Sequence, residues 1–367
     1  MDEFLSKQGM CGLQKRNPHF GGAHTRNCYS YHTLKNEYKY ICSYPNNIEL
    51  VGHALVKFVN DDYPNTMTLL SFGGQYQNEK KHTLIMNYSS IWDGQDIYEE
   101  KLSLYQWIPL TDKYNRPVCI GKDENDYNGV RAIIGGSKDH LLFITYPPKN
   151  IDVINLKTYQ YIARNTLPIG EWIWYHCFVS KTDSGSERAQ KNKKNEMLLF
   201  CKNIGLEIEY NEHNNKFRFR NIRICSTLRP FNQYAYLRAN DIILFFGGHG
   251  GTDIGYSKAM HKYSIKENKW MELQQHLPIS LGRCVGILNE DNTYVHILGG
   301  GNDEHDAISQ HIKIHVHEFM KEETEREKQW IVSESRIQDG EREMEDIKRI
   351  KKNLKGMGQG FQIRKLK

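Results

Sequence analysis

The sequence predicts an all-β protein: a six-bladed β-propeller followed by a C-terminal helical segment and a basic tail. Three observations lead to this prediction. Apolar runs that end in paired glycines recur at regular spacing, aromatic pairs recur in the hairpins that follow, and prolines recur after the last strand of a unit. A unit of about 50 residues with four strands is typical of one propeller blade, and several copies are needed to bury its faces.

The paired glycines each close an apolar run, as expected where a buried strand must turn sharply. They stand 52, 174 and 52 residues apart, at Gly21/Gly22, Gly73/Gly74, Gly247/Gly248 and Gly299/Gly300. The long interval equals three intervals of about 58 residues, which predicts two further units whose glycines have been lost. The apolar runs 140–146 and 197–201 end in turn residues and occupy those two places.

Six units follow from this register, each with two strands before its turn and two after it. They cover residues 10–44, 51–110, 130–168, 175–225, 234–278 and 282–320. The first unit is too short before its glycines for two full strands, and the sixth lacks a clear fourth strand. Both blades are therefore predicted to be degenerate, with residues 329–333 as one candidate for the missing strand. An open or strained ring with exposed edges is the alternative to a closed one.

Aromatic residues recur seven positions apart in the hairpin after the turn. The pairs are Tyr31 and Tyr38, Tyr210 and Phe217, and Tyr263 and Trp270. Rings at these two places are predicted to pack across the hairpin and between adjacent blades. Prolines end four of the units, at Pro45, Pro109, Pro168 and Pro278. Gly135 and Gly136 lie between two predicted strands and are interpreted as a hairpin turn.

The fifth unit carries the most complete pattern: an apolar strand, a glycine pair, a polar loop, Tyr263 and then Trp270. This segment resembles a kelch repeat. Residues 20–320 as a whole resemble a divergent multi-copy kelch family of unicellular eukaryotes, through segments such as CYSYHTLKNEY, HLLFITYP and HKYSIKENKW. The resemblance implies a propeller in which each blade packs on the next and the first and last units meet.

Four segments organise the chain. They are an irregular N-terminal segment (1–19), the propeller (20–320), a charged helical segment (321–354) and a disordered basic tail (355–367). The helix is predicted to break near Asp339 and Gly340. Its second half carries an apolar stripe for docking on the propeller or on another chain, with a solvated, frayed helix as the alternative: Met344, Ile347, Ile350 and Leu354. Polar insertions at 93–101 and 182–195 are predicted to be surface loops.

Composition and charge exclude several classes of protein. No apolar run approaches the roughly 18 residues of a membrane span, and the first residues contain two acids and no apolar core of a secretory signal. Eight cysteines without a CxxC motif are expected to be reduced, as in a cytoplasmic protein, and not zinc ligands or disulfides. Six of the bases behind the net charge of +5 lie in residues 351–367, so the remainder is nearly neutral and nucleic-acid binding is not expected.

The predicted function is that of a non-enzymatic scaffold that binds a protein partner through the loops after the glycine turns. The candidate contact residues are Gln75, Tyr76, Asn78, His249, Asp253, Asn302, Asp303 and His305, with Tyr76 as an aromatic anchor. The partner's identity is open. Actin is one possibility, because some kelch propellers bind it, and a ubiquitin-ligase component is another. No BTB-like or F-box-like domain is expected, so such a component would be a separate chain.

The alternative prediction is a carbohydrate-binding or small-molecule-binding protein or enzyme with its site at the channel mouth. His249, Asp253, Asp303, His305 and Asp306 follow glycine turns and could bind a metal or act as acids and bases, although ordinary turn chemistry explains them better. His311, His315 and His317 alternate on a predicted strand, but Lys313 between them disfavours a metal. Copper-radical enzymes occur in the kelch superfamily, yet their ligand set cannot be placed here. No catalytic, cofactor or metal residue is therefore assigned.

Overall fold

The computed structural model describes residues 26–48, 50–58, 67–74, 81–88, 91–92, 105–181, 195–289, 291–302 and 311–358. The chain divides into two units, Met1–Lys321 and Glu322–Lys367. Strands dominate the first unit and a single long helix the second. The predictions for residues 1–19, for Gly21 and Gly22, and for the loops 93–101 and 182–194 lie outside the described residues.

The first unit begins with a two-stranded hairpin, β1 (Asn27–His32) and β2 (Glu37–Ser43). Two four-stranded antiparallel sheets follow, each in chain order. The first sheet contains β3 (Ala54–Phe58), β4 (Met67–Gly73), β5 (His82–Tyr88) and β6 (Ile108–Pro109). The second contains β7 (Arg131–Gly135), β8 (Leu141–Tyr146), β9 (Asn150–Asn155) and β10 (Tyr161–Thr166).

Two further four-stranded sheets and one three-stranded sheet complete the unit. The third sheet contains β11 (Cys177–Ser180), β12 (Asn195–Cys201), β13 (Ile204–Asn211) and β14 (Lys216–Asn221). The fourth contains β15 (Ala235–Ala239), β16 (Ile242–Phe246), β17 (Met260–Ser264) and β18 (Lys269–Glu272). The three-stranded sheet contains β19 (Val285–Leu288), β20 (Tyr294–Leu298) and β21 (His311–His315). The all-β propeller with a C-terminal helix is confirmed. Its described strands form five blades and the β1–β2 hairpin, whereas the sequence predicts six blades.

Burial explains why the second strand of each blade is the clearest in the sequence. Every residue of β8 and of β16 is buried, whereas the outermost strand β14 alternates between half-buried and exposed residues. A strand that is covered on both faces needs an unbroken apolar run, and an edge strand does not. The predicted turn at Gly135 and Gly136 is confirmed between β7 and β8.

The described glycine pairs stand at the ends of second strands, and all six glycines have a left-handed φ. They are Gly73/Gly74 at the end of β4, Gly247/Gly248 after β16 and Gly299/Gly300 after β20. The polar loop predicted after Gly247 and Gly248 is present. The strand β16 ends at Phe246, whereas β17 begins only at Met260.

Close backbone approach explains the second glycine of a pair better than a tight turn does. A Cβ on Gly74 would lie 2.6 Å from the Cβ of His53, and one on Gly300 would lie 2.7 Å from the Gly282 carbonyl oxygen. His53 and Gly282 both stand just before the first strand of the same blade. Gly74 and Gly300 therefore let each loop pack against the segment that enters its own blade, which the sequence analysis did not predict.

The hairpin after each turn shows a feature that the sequence analysis missed. The hydroxyls of Tyr31, Tyr210 and Tyr263 donate to the side-chain oxygens of Asn36, Asn215 and Asn268, at 2.8, 2.8 and 2.7 Å. Each asparagine has a left-handed φ, of 56°, 54° and 54°. Asparagine tolerates this conformation better than other residues with a side chain, so a Tyr-x4-Asn spacing defines these turns.

The predicted aromatic packing is confirmed. Tyr263 lies directly opposite Trp270 in the β17–β18 pair, and both rings contact Phe200 of the preceding blade at centroid distances of 5.0 and 5.1 Å. Tyr210 contacts Phe143 of the blade before it at 5.3 Å. The aromatic residue of the third strand therefore packs each of these blades onto the one before it.

The β1–β2 hairpin contacts both the first and the last sheet. Tyr31 packs with Ile287 and Leu298 of the β19–β21 sheet. On the other side, the Trp107 indole N–H donates to the Cys28 sulfur at 3.3 Å. The first and last units therefore meet, as the sequence predicts for a ring. The seven cysteines in the described part of the chain are free thiols.

The chain after β21 differs from the prediction. A 3-10 helix, Val316–Met320, takes the place of further strand, and its Phe319 packs against Phe246 with ring centroids 5.9 Å apart. Residues 329–333, proposed as a replacement strand, are helical, so that proposal is wrong. They belong to α1 (Glu325–Gly358), which is rich in Glu, Lys and Arg, all good helix formers.

The helix α1 begins with a capping box. The Thr324 hydroxyl accepts from the Glu327 N–H at 3.3 Å, and the Glu327 carboxylate accepts from the Thr324 N–H at 2.8 Å. The predicted break at Asp339 and Gly340 is wrong, because the helix continues through both. An ion pair between Asp339 and Arg342, 3.6 Å, spans the glycine. The apolar stripe of the second half is exposed, and its docking stays a prediction.

Candidate functional site

One end of the propeller carries two kinds of loop, those that follow the glycine pairs and those that connect one blade to the next. In an antiparallel blade, the turn between the second and third strands lies at the same end as the connection to the next blade. Gly248 shows this directly, since its N–H donates to the Leu281 carbonyl in the connection from β18 to β19, at 2.7 Å. We call this end the connection face.

A left-handed residue precedes the first strand of each of the five blades on the connection face. These residues are Gly52, Gly129, Tyr175, Gln233 and Arg283, with φ of 66°, 72°, 49°, 55° and 58°. Three hydrogen bonds link them across neighbouring blades, from Gly129 to Gly52 at 2.9 Å, from Tyr175 to Gly129 at 3.0 Å and from Arg283 to Gln233 at 2.7 Å. The segments that enter the first three blades are therefore linked through the backbone, and so are the segments that enter the last two.

Polar side chains of four blades converge beside these residues. We call them the channel cluster: His53, Arg131, Tyr175, His176 and Tyr236. The Arg131 guanidinium lies 5.7 Å from the centre of the Tyr175 ring and donates to the Val130 carbonyl at 3.0 Å. No carboxylate within the described ranges forms an ion pair with Arg131. Tyr175 in turn donates to the Asn128 side-chain oxygen at 2.7 Å.

Burial leaves the channel cluster with a single charge. It lowers the pKa of His53 to about 4, and the charge of Arg131 adds to this shift. The same two causes, burial first, hold the pKa of His176 well below its usual range. Burial raises the pKa of Tyr236 to about 12, although Arg131 opposes the rise. At neutral pH both histidines are therefore neutral, both tyrosines are protonated, and Arg131 carries the only charge of the five.

The loop at 249–254 is the one predicted contact loop that lies entirely within the described residues. Its base is held by paired hydrogen bonds between the backbones of Asn232 and His249, at 3.1 and 2.8 Å. The His249 ring packs against Tyr256, with centroids 4.5 Å apart. Asp253 and Ile254 at the tip are exposed. The loop therefore combines a fixed base with an exposed tip.

Three of the eight predicted contact residues, His249, Asp253 and Asn302, lie within the described part of the chain. Gln75, Tyr76, Asn78, Asp303 and His305 lie outside the described residues, as does Asp306. His249 follows Gly248, which bonds to Leu281, and Asn302 follows Gly301, which exchanges backbone hydrogen bonds with Gly282 at 2.9 and 3.1 Å. The bases of two predicted loops thus flank one connection. Among the described residues, no group of three His, Cys, Asp or Glu could hold a metal ion.

The three histidines at the end of the last sheet do not converge. His311 bonds to the Tyr31 hydroxyl at 2.9 Å and to His296 at 2.8 Å, which places it between the last sheet and the β1–β2 hairpin. His315 ends β21 and accepts from the His317 N–H at 3.0 Å. His317 itself lies in the 3-10 helix. The alternation predicted for a single strand therefore stops at His315.

Comparisons with known proteins identify the fold but not a family. No family model matches the sequence, and no curated protein matches it. Among solved structures, the structure of YjhT is similar over 79% of this chain and 89% of that chain, with a TM-score of 0.52 and 12% sequence identity. At this identity the likeness shows the fold alone. No helix in the described part of the chain combines the length and apolarity needed to cross a bilayer.

Sequence reasoning missed three exposed apolar side chains in segments of the connection face. Tyr114 lies in the connection from β6 to β7, Trp172 in that from β10 to β11, and Ile254 in the loop after Gly248. Their exposed fractions are 65%, 64% and 54%. Large apolar side chains in solvent are a common feature of binding surfaces. A tryptophan between polar residues in a connection, as in the segment GEWIW, is the signal that could have pointed to Trp172.

Proposed function

We propose that this protein is a non-enzymatic, kelch-type interaction module that binds a protein partner through the connection face. The three exposed side chains Tyr114, Trp172 and Ile254 carry the proposal. Tryptophan and tyrosine are the residues most enriched among those that dominate binding energy at protein interfaces. His249, Asp253 and Asn302, together with the predicted contact residues of the neighbouring loops, would form the polar rim of this surface.

The blade architecture supports a rigid surface. We propose that the β1–β2 hairpin is the outer half of a sixth blade, because Tyr31 packs on the last sheet as Tyr263 packs on its preceding blade. Loops held by a ring of packed sheets lose little entropy on binding, and this favours affinity. The free thiols of the described cysteines support a cytoplasmic location for the protein.

The proposal is tested by comparing two variants of the tagged full-length protein. The first combines Trp172→Ala with Ile254→Ala on the connection face. The second is Leu34→Ala, a matched control, because Leu34 is 79% exposed but lies in the β1–β2 turn at the opposite end of the blade. Proteins recovered from cells with each form are quantified by mass spectrometry. We expect at least one protein to be lost with the double variant and retained with Leu34→Ala.

Purified actin provides a direct test of one partner. Co-sedimentation of the wild-type protein with actin filaments that disappears in the double variant would identify actin. The proposed function is contradicted if neither experiment finds a protein whose binding depends on Trp172 and Ile254.

A further inference from the structure

The channel cluster contains a charge without a counter-charge. Arg131 begins β7, and its half-buried guanidinium is surrounded by neutral groups from three other blades. Among the described acidic residues, Asp126 acts on Tyr175 of the cluster but does not pair with Arg131. A partly desolvated cation without an anionic partner is unfavourable unless a ligand or solvent supplies one.

Arg131 also retains free hydrogen-bonding capacity. A guanidinium has five N–H donors, of which Arg131 directs one to the Val130 carbonyl and another toward the Tyr236 hydroxyl. The remaining donors have no hydrogen-bond acceptor among the described residues, and the guanidinium nitrogens are not among the buried polar atoms that lack a partner. The Nδ1 atom of His176, by contrast, is buried and has no partner, while its Nε2 bonds to Thr145 at 2.7 Å.

We propose that the propeller channel binds a small molecule through an oxyanion, a carboxylate or phosphate group, held by Arg131 between Tyr175 and Tyr236. A planar guanidinium matches the geometry of both anions and can bind them with two parallel hydrogen bonds. The Tyr236 hydroxyl is protonated, so its own proton can supply a further donor. The neutral histidines add no competing charge, and the low polarity around the channel strengthens the attraction.

Charges of both signs, Arg283 and Asp126, act on Tyr175 at the rim, and Arg283 has the larger effect on its pKa. Arg283 lies exposed on the connection face and, like Arg131, opposes the rise that burial causes in the pKa of Tyr175. The competing explanation is that Arg131 serves the structure through its contact with the Tyr175 ring. That contact, at 5.7 Å, is close to the outer limit of about 6 Å for a cation–π interaction.

The test measures anion binding to the purified full-length protein. Thermal unfolding and isothermal titration calorimetry are carried out with inorganic phosphate, with citrate and with chloride at matched ionic strength. We expect phosphate or citrate to raise the unfolding temperature in a saturable manner that chloride does not reproduce. An effect of phosphate alone identifies a phosphate-bearing ligand, and an effect of citrate alone a carboxylate-bearing one.

Three variants decide whether Arg131 is responsible. Arg131→Met should weaken the binding by at least about tenfold, and Tyr236→Phe, which keeps the ring, by a few fold. Arg116→Gln is the matched control, because Arg116 is an exposed arginine in a connection and already pairs with Asp112 at 2.7 Å; it should bind as the wild type does. The proposal is overturned if wild-type protein shows no response beyond chloride, or if Tyr236→Phe and Arg131→Met both bind like the wild type. Should Arg131→Met fail to fold, Arg131→Lys replaces it, with the same weakening expected from the loss of two-pronged geometry.

Discussion

The β17–β18 hairpin and the β1–β2 hairpin share the same turn but have different surroundings. Both carry a Tyr-x4-Asn turn, and in both the tyrosine lies opposite an aromatic residue. Tyr263 packs against Phe200, a fully buried ring of the preceding blade. Tyr31 instead packs with Ile287 and Leu298 and bonds to His311. Where the ring closes, a polar contact therefore replaces part of the aromatic contact. The packing of the β1–β2 hairpin should for this reason respond more strongly to solvent conditions such as pH than that of the β17–β18 hairpin.

The largest effect is expected from the aromatic contact. Phe200→Ala removes a ring that lies within 6 Å of those of Phe245, Tyr263 and Trp270, and should lower the free energy of unfolding by about 3–5 kcal/mol. Tyr31→Ala at the closure should cost less, on the order of 3 kcal/mol, because fewer buried side chains surround it. Urea unfolding followed by circular dichroism measures both. Equal losses would show that the closure is packed as tightly as the inner blades.

Acid should weaken the closure, and the same cause acts in the inner blades, where burial also lowers the pKa of His53 and His176. Burial lowers the pKa of His311 to about 4, with Lys313 adding to the shift. Burial also lowers the pKa of His296 to about 4, and there both His311 and Lys313 add to the shift. The unfolded chain, with ordinary histidine pKa values near 6.5, therefore binds more protons between pH 6.5 and pH 4. Stability should fall across this window as the pH is lowered, by roughly 2 kcal/mol after allowance for partial exposure.

The measurement for this prediction is urea unfolding at pH 7.5, 5.5 and 4.5. His311→Gln keeps a polar side chain without the titration and should make the dependence of stability on pH less steep. A slope that is the same in wild type and His311→Gln would assign the effect to other groups.

The two tyrosine hydroxyls should differ in their contribution to stability. Tyr263→Phe removes one hydrogen bond, to Asn268, and should cost about 1 kcal/mol. Tyr31→Phe removes the bonds to both Asn36 and His311, and should cost more, roughly 2 kcal/mol. Thermal unfolding of the two variants in parallel makes the comparison. A larger loss for Tyr263→Phe would mean that the polar contact of the closure adds nothing to stability.

The smallest effect is expected for a glycine at the turn. Asn268→Ala places an ordinary residue at a φ of 54° and also loses the Tyr263 bond, so it should cost about 2 kcal/mol. Asn268→Gly relieves the backbone but still loses the Tyr263 bond, so it should cost less. The same pair at Asn36 should show larger losses, since Asn36 also contacts His311 at 2.9 Å. If the alanine and glycine variants are equally stable, the left-handed backbone is not what selects asparagine here.

Much of the blade pattern could be predicted from the sequence, because it depends on neighbours along the chain. The run Ile242–Phe246 and the spacing from Tyr263 to Trp270 are local features, and both elements form as predicted. The break predicted in the helix at Gly340 was wrong, because the prediction gave a single local residue too much weight. A single glycine costs only about 1 kcal/mol, and its strongly helical neighbours outweigh it. Glycine does destabilise the helix, but its effect is too small to interrupt it.

The glycine pairs were located correctly, but their full role was not predictable. The sequence shows that Gly74 and Gly300 follow apolar runs, which indicates a change of direction. It does not show that His53 and Gly282 lie against them, because these contacts join the end of a second strand to the segment before the first.

The candidate site could be predicted only in part. The loop at 249–254 was found because it follows a glycine turn, and it does lie on the connection face. Trp172 and Tyr114 were missed, because exposure of an apolar residue depends on how the connections fold back. The left-handed residues before the first strands were also missed, since they include tyrosine, glutamine and arginine and share no residue type.

The sequence by itself determined the repeating strands, the positions of the glycine pairs and the aromatic pairs, because each depends on residues within one blade. Only the tertiary structure decided that Arg131 meets Tyr175 and Tyr236, and that Tyr31 meets His311, 280 residues away. The physical reason is the radial arrangement of the blades. It brings the first strand of every sheet to one axis and joins the two ends of the ring, so distant residues become neighbours without any local signal.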